Sequence, residues 1–426
     1  MTNIRTLWTP RRQILLVFLL FLIATINYFD RQSLSVVAPR LQAELHIDDQ
    51  GYAHIVGLFL FASAIAYAVA GFISDWIGTR RAMALFVGWW SLAEAATALV
   101  SNTVSLGIAR FCLGLGEPGL WVAAPKMVGE TVKVRHRALA VGVYSMGGSL
   151  GAVIALPTIA MVTSHWPWRS IFVLDGAVGL LWLPLWFAVT HRRGQEESVA
   201  SPALKEPRTK IFAQILSVMR RSTTWKLVAA RALTDPVWYF YLFWFPKYLM
   251  NSRHMNLEEV AQSAWFVYVG AGIGALTGGL FASMLIRRGL STTIAYRWIL
   301  LGVAVILPLS PLAAIVPGNE LAILFASLMV FAHMNWLVIL TSSVVELYPA
   351  AQVGTAGGLI ASGSGIGGML SSELIGCVVM TNGYTPLFVV MGLFHPLVLV
   401  LIWTVFNQQK KAICNQELED RVGVGY

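Results

Sequence analysis

Residues Ile14 to Ala38 read ILLVFLLFLIATINYFDRQSLSVVA, a run of hydrocarbon and aromatic side chains with one acid and one base, Asp30 and Arg31. Its length is enough to cross a bilayer, which takes about 20 apolar residues as a helix. An ionised side chain at membrane depth costs on the order of 2.5–3.5 kcal/mol even on the mildest scale. Such groups persist where they face a water-filled path or each other. Three spans later the chain repeats the pattern with Arg110 and Glu117. Charges kept at that cost predict a path for a polar solute across the membrane.

Composition agrees. Hydrophobic residues make up 57% of the 426 and charged residues 12%, against about 25% charged in soluble proteins. A soluble chain of this length has no way to hide so much apolar surface, so the class is polytopic membrane protein. Arg5, Arg11 and Arg12 precede the first span, which is too long for a secretory signal core and lacks a small-residue cleavage site. It is read as a retained first helix. Cys112, Cys377 and Cys414 are scattered, with neither metal spacing nor an even disulfide set, and are read as packing residues.

Twelve spans fit the hydropathy, near 14–38, 53–74, 82–100, 104–128, 138–162, 170–190, 227–250, 261–286, 292–316, 320–345, 353–380 and 384–406. With both termini inside, most of the 30 Lys and Arg fall on cytoplasmic segments. External loops hold Arg40, Arg169, Lys247 and Arg253, while Arg31, Arg110, Lys126, Arg231 and Arg297 lie in spans. This positive-inside bias accounts for the formal charge of +9 without any nucleic-acid partner.

The long polar break at 191–226 is read as a cytoplasmic linker between two six-helix halves, 1–190 and 227–406, with a cytoplasmic tail at 407–426. Trp166-Pro167-Trp168-Arg169 reads as an interfacial anchor. Residues 40–50, with Glu44, Asp48 and Asp49, read as a short external cap helix.

Internal repetition supports two halves. After span two comes Gly71-Phe-Ile-Ser-Asp75-Trp-Ile-Gly78-Thr-Arg80-Arg81, and after span eight Gly279-Leu-Phe-Ala-Ser283-Met-Leu-Ile-Arg287-Arg288-Gly289. The first run resembles GxxxDxxGxRR, the signature cytoplasmic loop of the major facilitator superfamily. The second is its worn copy, with Ser283 in the acid's place. Asp75 is suited to capping a neighbouring helix end, while Arg80 and Arg81 are suited to pairing with carboxylates across that face. Bonds that form only when the face is closed bias one state of an access cycle, so Asp75, Arg80 and Arg81 are candidate gate residues. A plain topology anchor is the alternative. Loss of the second acid implies an asymmetric lock. Glycine crowds spans five, eight and eleven, as Gly142, Gly147, Gly148 and Gly151, then Gly270 to Gly279, then Gly354 to Gly368. Small residues let helices approach closely, and no P-loop lysine accompanies them.

Arg110 and Glu117 are seven apart and so share a helix face. A buried glutamate is readily protonated, a nearby arginine opposes that, and a bound organic anion restores it. Substrate and proton then favour each other's binding, each cancelling a buried charge. A static salt bridge is the bland alternative.

Taken together, Asn27-Tyr28-Phe29-Asp30-Arg31, Arg110-Phe-Cys-Leu-Gly114-Leu-Gly116-Glu117 and the Gly71–Arg81 loop resemble the anion:cation symporter family of the major facilitator superfamily. Thr234-Asp235-Pro236-Val-Trp238-Tyr239 and its aromatic continuation to Leu249, with Ala332-His333-Met-Asn335-Trp336, are similar to bacterial aldohexuronate importers. The resemblance implies an all-α membrane protein of twelve helices in two pseudo-symmetric halves. It implies that Arg31 grips a substrate carboxylate, a task suited to a guanidinium's fork. It assigns proton uptake to Asp30 and Glu117, with Arg110 balancing them. Tyr28, Ser63, Tyr67, Trp238, Tyr239, His333 and Asn335 are the remaining candidate substrate residues. Related galactonate carriers have glutamine where Gly148 stands and asparagine near Ala361, so galactonate is disfavoured. Asn335 stands where the hexuronate group usually has glycine.

Asp235 before Pro236 reads as an N-terminal cap of span seven, with a cavity role as the alternative. Trp238 or Tyr239 is suited to stacking on a sugar ring. Glu94 and Glu373 are further intramembrane acids, His333 is a candidate hydrogen-bonding group, and His395 reads as structural. The expectation is proton-coupled import of a sugar-acid anion, foremost a hexuronate such as glucuronate or galacturonate. Other carboxylates (aldarates, aldonates or aromatic acids) are the rival substrates, and a non-transporting sensor is a remote rival with only a short tail for output. No HExxH or Ser–His motif points to an enzyme. No cofactor, metal or nucleic acid is expected; the chain reads as a monomer in a bacterial inner membrane.

Overall fold

Backbone polar groups have no water to bond in hydrocarbon, so an open chain crosses it as helices. The described residues of this computed structural model, 9–47, 49–191, 208–263 and 265–422, contain helices and no strand. The first half comprises α1 (Pro10–Leu45), α2 (Asp49–Trp76), α3 (Thr79–Ala96), α4 (Thr103–Gly116), α5 (Pro118–Thr131), α6 (Val134–His165) and α7 (Arg169–Thr190). After α8 (Arg208–Arg220) come α9 (Ser222–Tyr239), α10 (Phe245–Arg253), α11 (Leu257–Ser263) and α12 (Trp265–Arg287). The remainder is α13 (Thr292–Ile306), α14 (Leu312–Ile315), α15 (Asn319–Leu347), α16 (Val353–Asn382) and α17 (Thr385–Val422). Residues 192–207 of the expected linker, Asp48, and the side chains of Glu373 and of the tail beyond Asn407 lie outside the described residues.

Among the described residues, nine stretches are long and apolar enough to cross a membrane unaided. Three more complete the twelve spans. Helices α4 and α5 are 14 residues each and meet at Glu117-Pro118, so neither is long enough alone. Helix α9 runs past Pro236 into a π-helical turn at Phe240–Trp244 before α10. Proline removes one backbone donor, and a wider turn absorbs the mismatch. Helix α16 is diluted by glycine and serine.

Two boundaries differ from the sequence reading. Residues 40–45 continue α1 without a break, so no separate cap helix forms there; His46, with φ 52°, ends α1 in the left-handed region. Asp235 lies inside α9, which begins at Ser222, so it caps no helix end. The apolar register of 222–234 carries the helix upstream of the expected start.

The halves meet where α2 crosses α16 and α6 crosses α12. A Cβ on Gly71 would stand 3.1 Å from the Gly358 Cα, and one on Gly279 2.7 Å from the Leu139 Cα. The helices therefore touch backbone to backbone, as small residues permit. These crossings lie toward one face, here called the Asp75 face.

Candidate functional site

Arg31 leaves α1 toward the space between the halves. Its Nε donates to Glu117 Oε2 at 2.6 Å, with the Arg31 side chain 28% exposed and Glu117 fully buried. The guanidinium lies over Tyr28 and Phe59, 5.4 and 5.8 Å from the ring centroids. Tyr28 packs edge-on against Trp121 at 5.7 Å, and Trp121 donates to Asn27 Oδ1 at 3.0 Å. A Cβ on Gly148 would approach Tyr28 Cδ2 at 2.8 Å, so the glycine is what lets Tyr28 sit there.

Trp121 also lines a narrow cleft between the halves, with Pro125 from α5, Arg231 from α9, Thr341 from α15 and Gly357 and Ala361 from α16. Arg231 is paired with Asp235 at 2.7 Å, one helical turn on. Tyr239 bonds Ser364 through its hydroxyl at 3.1 Å and lies within electrostatic reach of Tyr67, Asp235 and Arg31. Ser63 is buried, and its hydroxyl has no hydrogen-bond partner among the described residues. Tyr28, Arg31, Tyr67 and Tyr239 thus gather about the junction of the halves with Glu117.

The second-half candidates are more withdrawn. Trp238 is 8% exposed and packs edge-on to Tyr268. His333 is buried with its Nδ1 3.2 Å from His395 Nε2. Asn335 bonds Thr277 and the Phe331 carbonyl in the seam of α12 and α15. As placed, His333 and Asn335 support the wall and do not open onto the cavity.

Arg110 does not pair with Glu117. The seven helical steps from one to the other span about 10 Å, and Arg110 reaches the other way, to Glu94 Oε2 at 2.8 Å and Thr97 Oγ1 at 2.7 Å. Asp30, Glu94 and Asp175 form a buried cluster whose ligand oxygens lie within 4.8 Å of one another. Ser33 donates to Asp175 Oδ2 at 2.6 Å. Two bare carboxylates about 5 Å apart repel by about 3 kcal/mol even at an effective dielectric of ~20. The cluster therefore favours any state that supplies positive charge. Asp175 escaped the sequence reading although an acid within an apolar run was the available signal.

At the Asp75 face, the carboxylate of Asp75 accepts from the Gly354 and Thr355 amides at the start of α16, at 3.0 and 2.6 Å. It also meets the Lys126 ammonium at 2.5 Å. Arg137 reaches Glu346 across the halves at 2.6 Å. Ser283, the worn counterpart of Asp75, donates to the Arg135 carbonyl at the start of α6. The two repeats thus make matching contacts of different charge. Arg80 donates to Thr190 and lies over Phe187, and Arg81 is exposed. Lys126, Arg137 and Glu346 carried no assignment from sequence; for Lys126 the signal was a base inside a span.

Two six-helix halves, crossing through glycine-rich helices with ionised groups buried between and within them, define a membrane transporter. The chain belongs to the Major Facilitator Superfamily, whose family profile matches residues 20–372. It is similar to the hexuronate transporter of Escherichia coli K12, 27% identical over 409 residues that cover 93% of this chain and 94% of the relative. It is also similar to the hexuronate transporter of Bacillus subtilis, 28% identical over 390 residues, covering 88% and 90%. A solved proton:xylose symporter shares the fold at 15% identity and a TM-score of 0.71, over 92% of this chain and 96% of that one.

Proposed function

We propose that the protein imports a sugar-acid monoanion with protons, a hexuronate such as glucuronate or galacturonate being the preferred cargo. The observation that carries this reading is the Arg31–Glu117 pair, one partner partly exposed and the other sealed. A guanidinium binds a carboxylate in a planar fork. An incoming sugar carboxylate that takes this fork competes with Glu117 for it. Glu117, released and fully buried, is then stabilised by protonation. Loaded carrier and proton thus travel together, because an uncompensated ion is penalised at membrane depth. Tyr28, Tyr67, Tyr239 and Ser63 supply hydroxyls to a polyol, and Asp30 with Arg110 holds charge balance behind the clamp.

Gly148 and Ala361 support a hexuronate over galactonate. A glutamine at 148 would displace Tyr28, given the 2.8 Å approach of a Cβ there. The Asp75 face is read as cytoplasmic from its basic loops, which would put the closed side inward and both termini in the cytoplasm; a bacterial inner membrane is the proposed location. The chain is read as acting as a monomer, without cofactor.

The test is uptake of radiolabelled D-glucuronate and D-galacturonate into proteoliposomes under an inward proton gradient, with unlabelled galactonate and glucarate as competitors. Gradient-dependent uptake, outcompeted first by hexuronates, is expected. Arg31→Lys keeps the charge but loses the fork, and its apparent affinity should fall on the order of tenfold or more. Near-normal affinity would remove Arg31 as the carboxylate clamp.

A further inference from the structure

Among the described residues that line the narrow cleft between the halves, Arg231 alone is charged. Successive turns of α5 show where that cleft lies. Glu117, bonded to Arg31, precedes the helix, and Trp121 follows one turn later. Pro125 then borders the cleft, and Lys126 meets the Asp75 carboxylate. Trp121 is the partition. It packs on Tyr28 and donates to Asn27, both within a turn of Arg31, and it also lines the cleft. Beyond it the walls include Val345 and Val353. Val353 precedes Gly354, whose amide donates to Asp75. The order along the axis is therefore Arg31 with Glu117, Trp121, Arg231, and last the bonds that close the Asp75 face.

The Arg231–Asp235 pair repeats the build of Arg31–Glu117. In each, the base is partly exposed, with 15% and 28% of its side chain reached, and the acid is sealed. In each, one acid oxygen takes the guanidinium, while the other is buried with no hydrogen-bond partner among the described residues: Oδ1 of Asp235 and Oε1 of Glu117. Native structures leave few such atoms unpaired, each at a cost. Nε and Nη2 of Arg231 converge on the one oxygen, Asp235 Oδ2, at 2.7 Å. A guanidinium carries five donors, so this grip does not exhaust it.

We propose that Arg231, restrained by Asp235, is a second anion station, which receives the sugar carboxylate from Arg31 and passes it out when the Asp75 face opens. The inference rests on the transport reading above and adds a release-side residue to it. An unpaired anion is penalised at membrane depth, so a second fork beyond Trp121 eases parting from the first. Asp235 competes for the same guanidinium and keeps the station from holding the cargo tightly. Its unpaired oxygen is an acceptor for a sugar hydroxyl.

The test measures the two faces separately. Right-side-out and inside-out membrane vesicles expose opposite faces of the full chain, the inside-out ones presenting the Asp75 face, read above as cytoplasmic. Each gives a KM for labelled D-glucuronate. Arg231→Gln should raise the KM at the Asp75 face on the order of tenfold and shift the other by less than about twofold. Arg231→Lys, which keeps the charge but loses the fork, should fall between. Asp235→Asn removes the competitor and should lower the KM at the Asp75 face about threefold or more, with a slower maximal rate. If Arg231→Gln does not reach the membrane, these two closer replacements carry the same test. Equal rises at both faces would merge Arg231 with the Arg31 site, and unchanged values at both would make it a packing residue; either overturns the station. Wild-type vesicles that take up no hexuronate from either face overturn the cargo assignment and the station with it, a result distinct from transport with unaltered KM values.

Discussion

Arg31 and Glu117 hold the main decision at the scale of single residues, because one is partly exposed and the other is sealed. Glu117→Gln keeps size and a hydrogen-bond acceptor for Arg31 but cannot carry a proton. An inward gradient of one pH unit supports about tenfold accumulation per coupled proton. The variant is expected to lose that uphill accumulation while still exchanging labelled for unlabelled substrate. Equal loss of both activities would make Glu117 a packing residue. Arg31, Asp30 and Glu117 were legible in the sequence because ionised groups stand out in apolar runs. Their partners were not. Arg110 lies on the same helix as Glu117, but its length carries it to Glu94, and which way a long side chain leaves a helix is settled by neighbours from α3. Asp175, between Leu174 and Gly176, bore the same signal as the others and was passed over.

At the scale of elements, the glycine-lined crossings set how closely the halves approach. A Cβ on Gly358 would stand 2.9 Å from the Gly71 Cα and also crowd the Tyr67 carbonyl. Overpacking of this kind costs typically about 1–3 kcal/mol. Gly358→Val should therefore open the α2–α16 contact. Spin labels at the exposed positions Lys133 and Arg288, one in each half, should report a longer or broader distance distribution by double electron–electron resonance. A distribution identical to wild type would deny the crossing a role in closure. The spans themselves were readable from hydropathy and the crossings from glycine crowding. The failures came at helix ends. A polar stretch such as 40–45 continues a helix when nothing breaks it, and Asp235 before Pro236 imitates a start signal although the upstream residues are already helical.

For the whole molecule, the Asp75 face is closed by bonds that join the halves. A hydrogen bond to a charged group contributes about 1.5–3 kcal/mol. Asp75→Asn weakens two such bonds and leaves the buried Lys126 ammonium without its counter-charge. The balance of states should move toward opening of that face by about tenfold or more, read as a new long-distance population between the same two labels; an unchanged population would reduce Asp75 to a topology marker. The loop motif was legible as a candidate gate, a role that the label distances test. Its closed arrangement was not, since a sequence is common to every state of an access cycle and only packing distinguishes them.

The donors to the Asp75 carboxylate are the peptide N–H groups of Gly354 and Thr355. Every amino acid except proline offers that donor. One leaf of the latch is consequently indifferent to side-chain drift at position 355, and evolution can retune the neighbourhood there without unfastening it. Proline at 354 or 355 is the substitution that removes a donor outright.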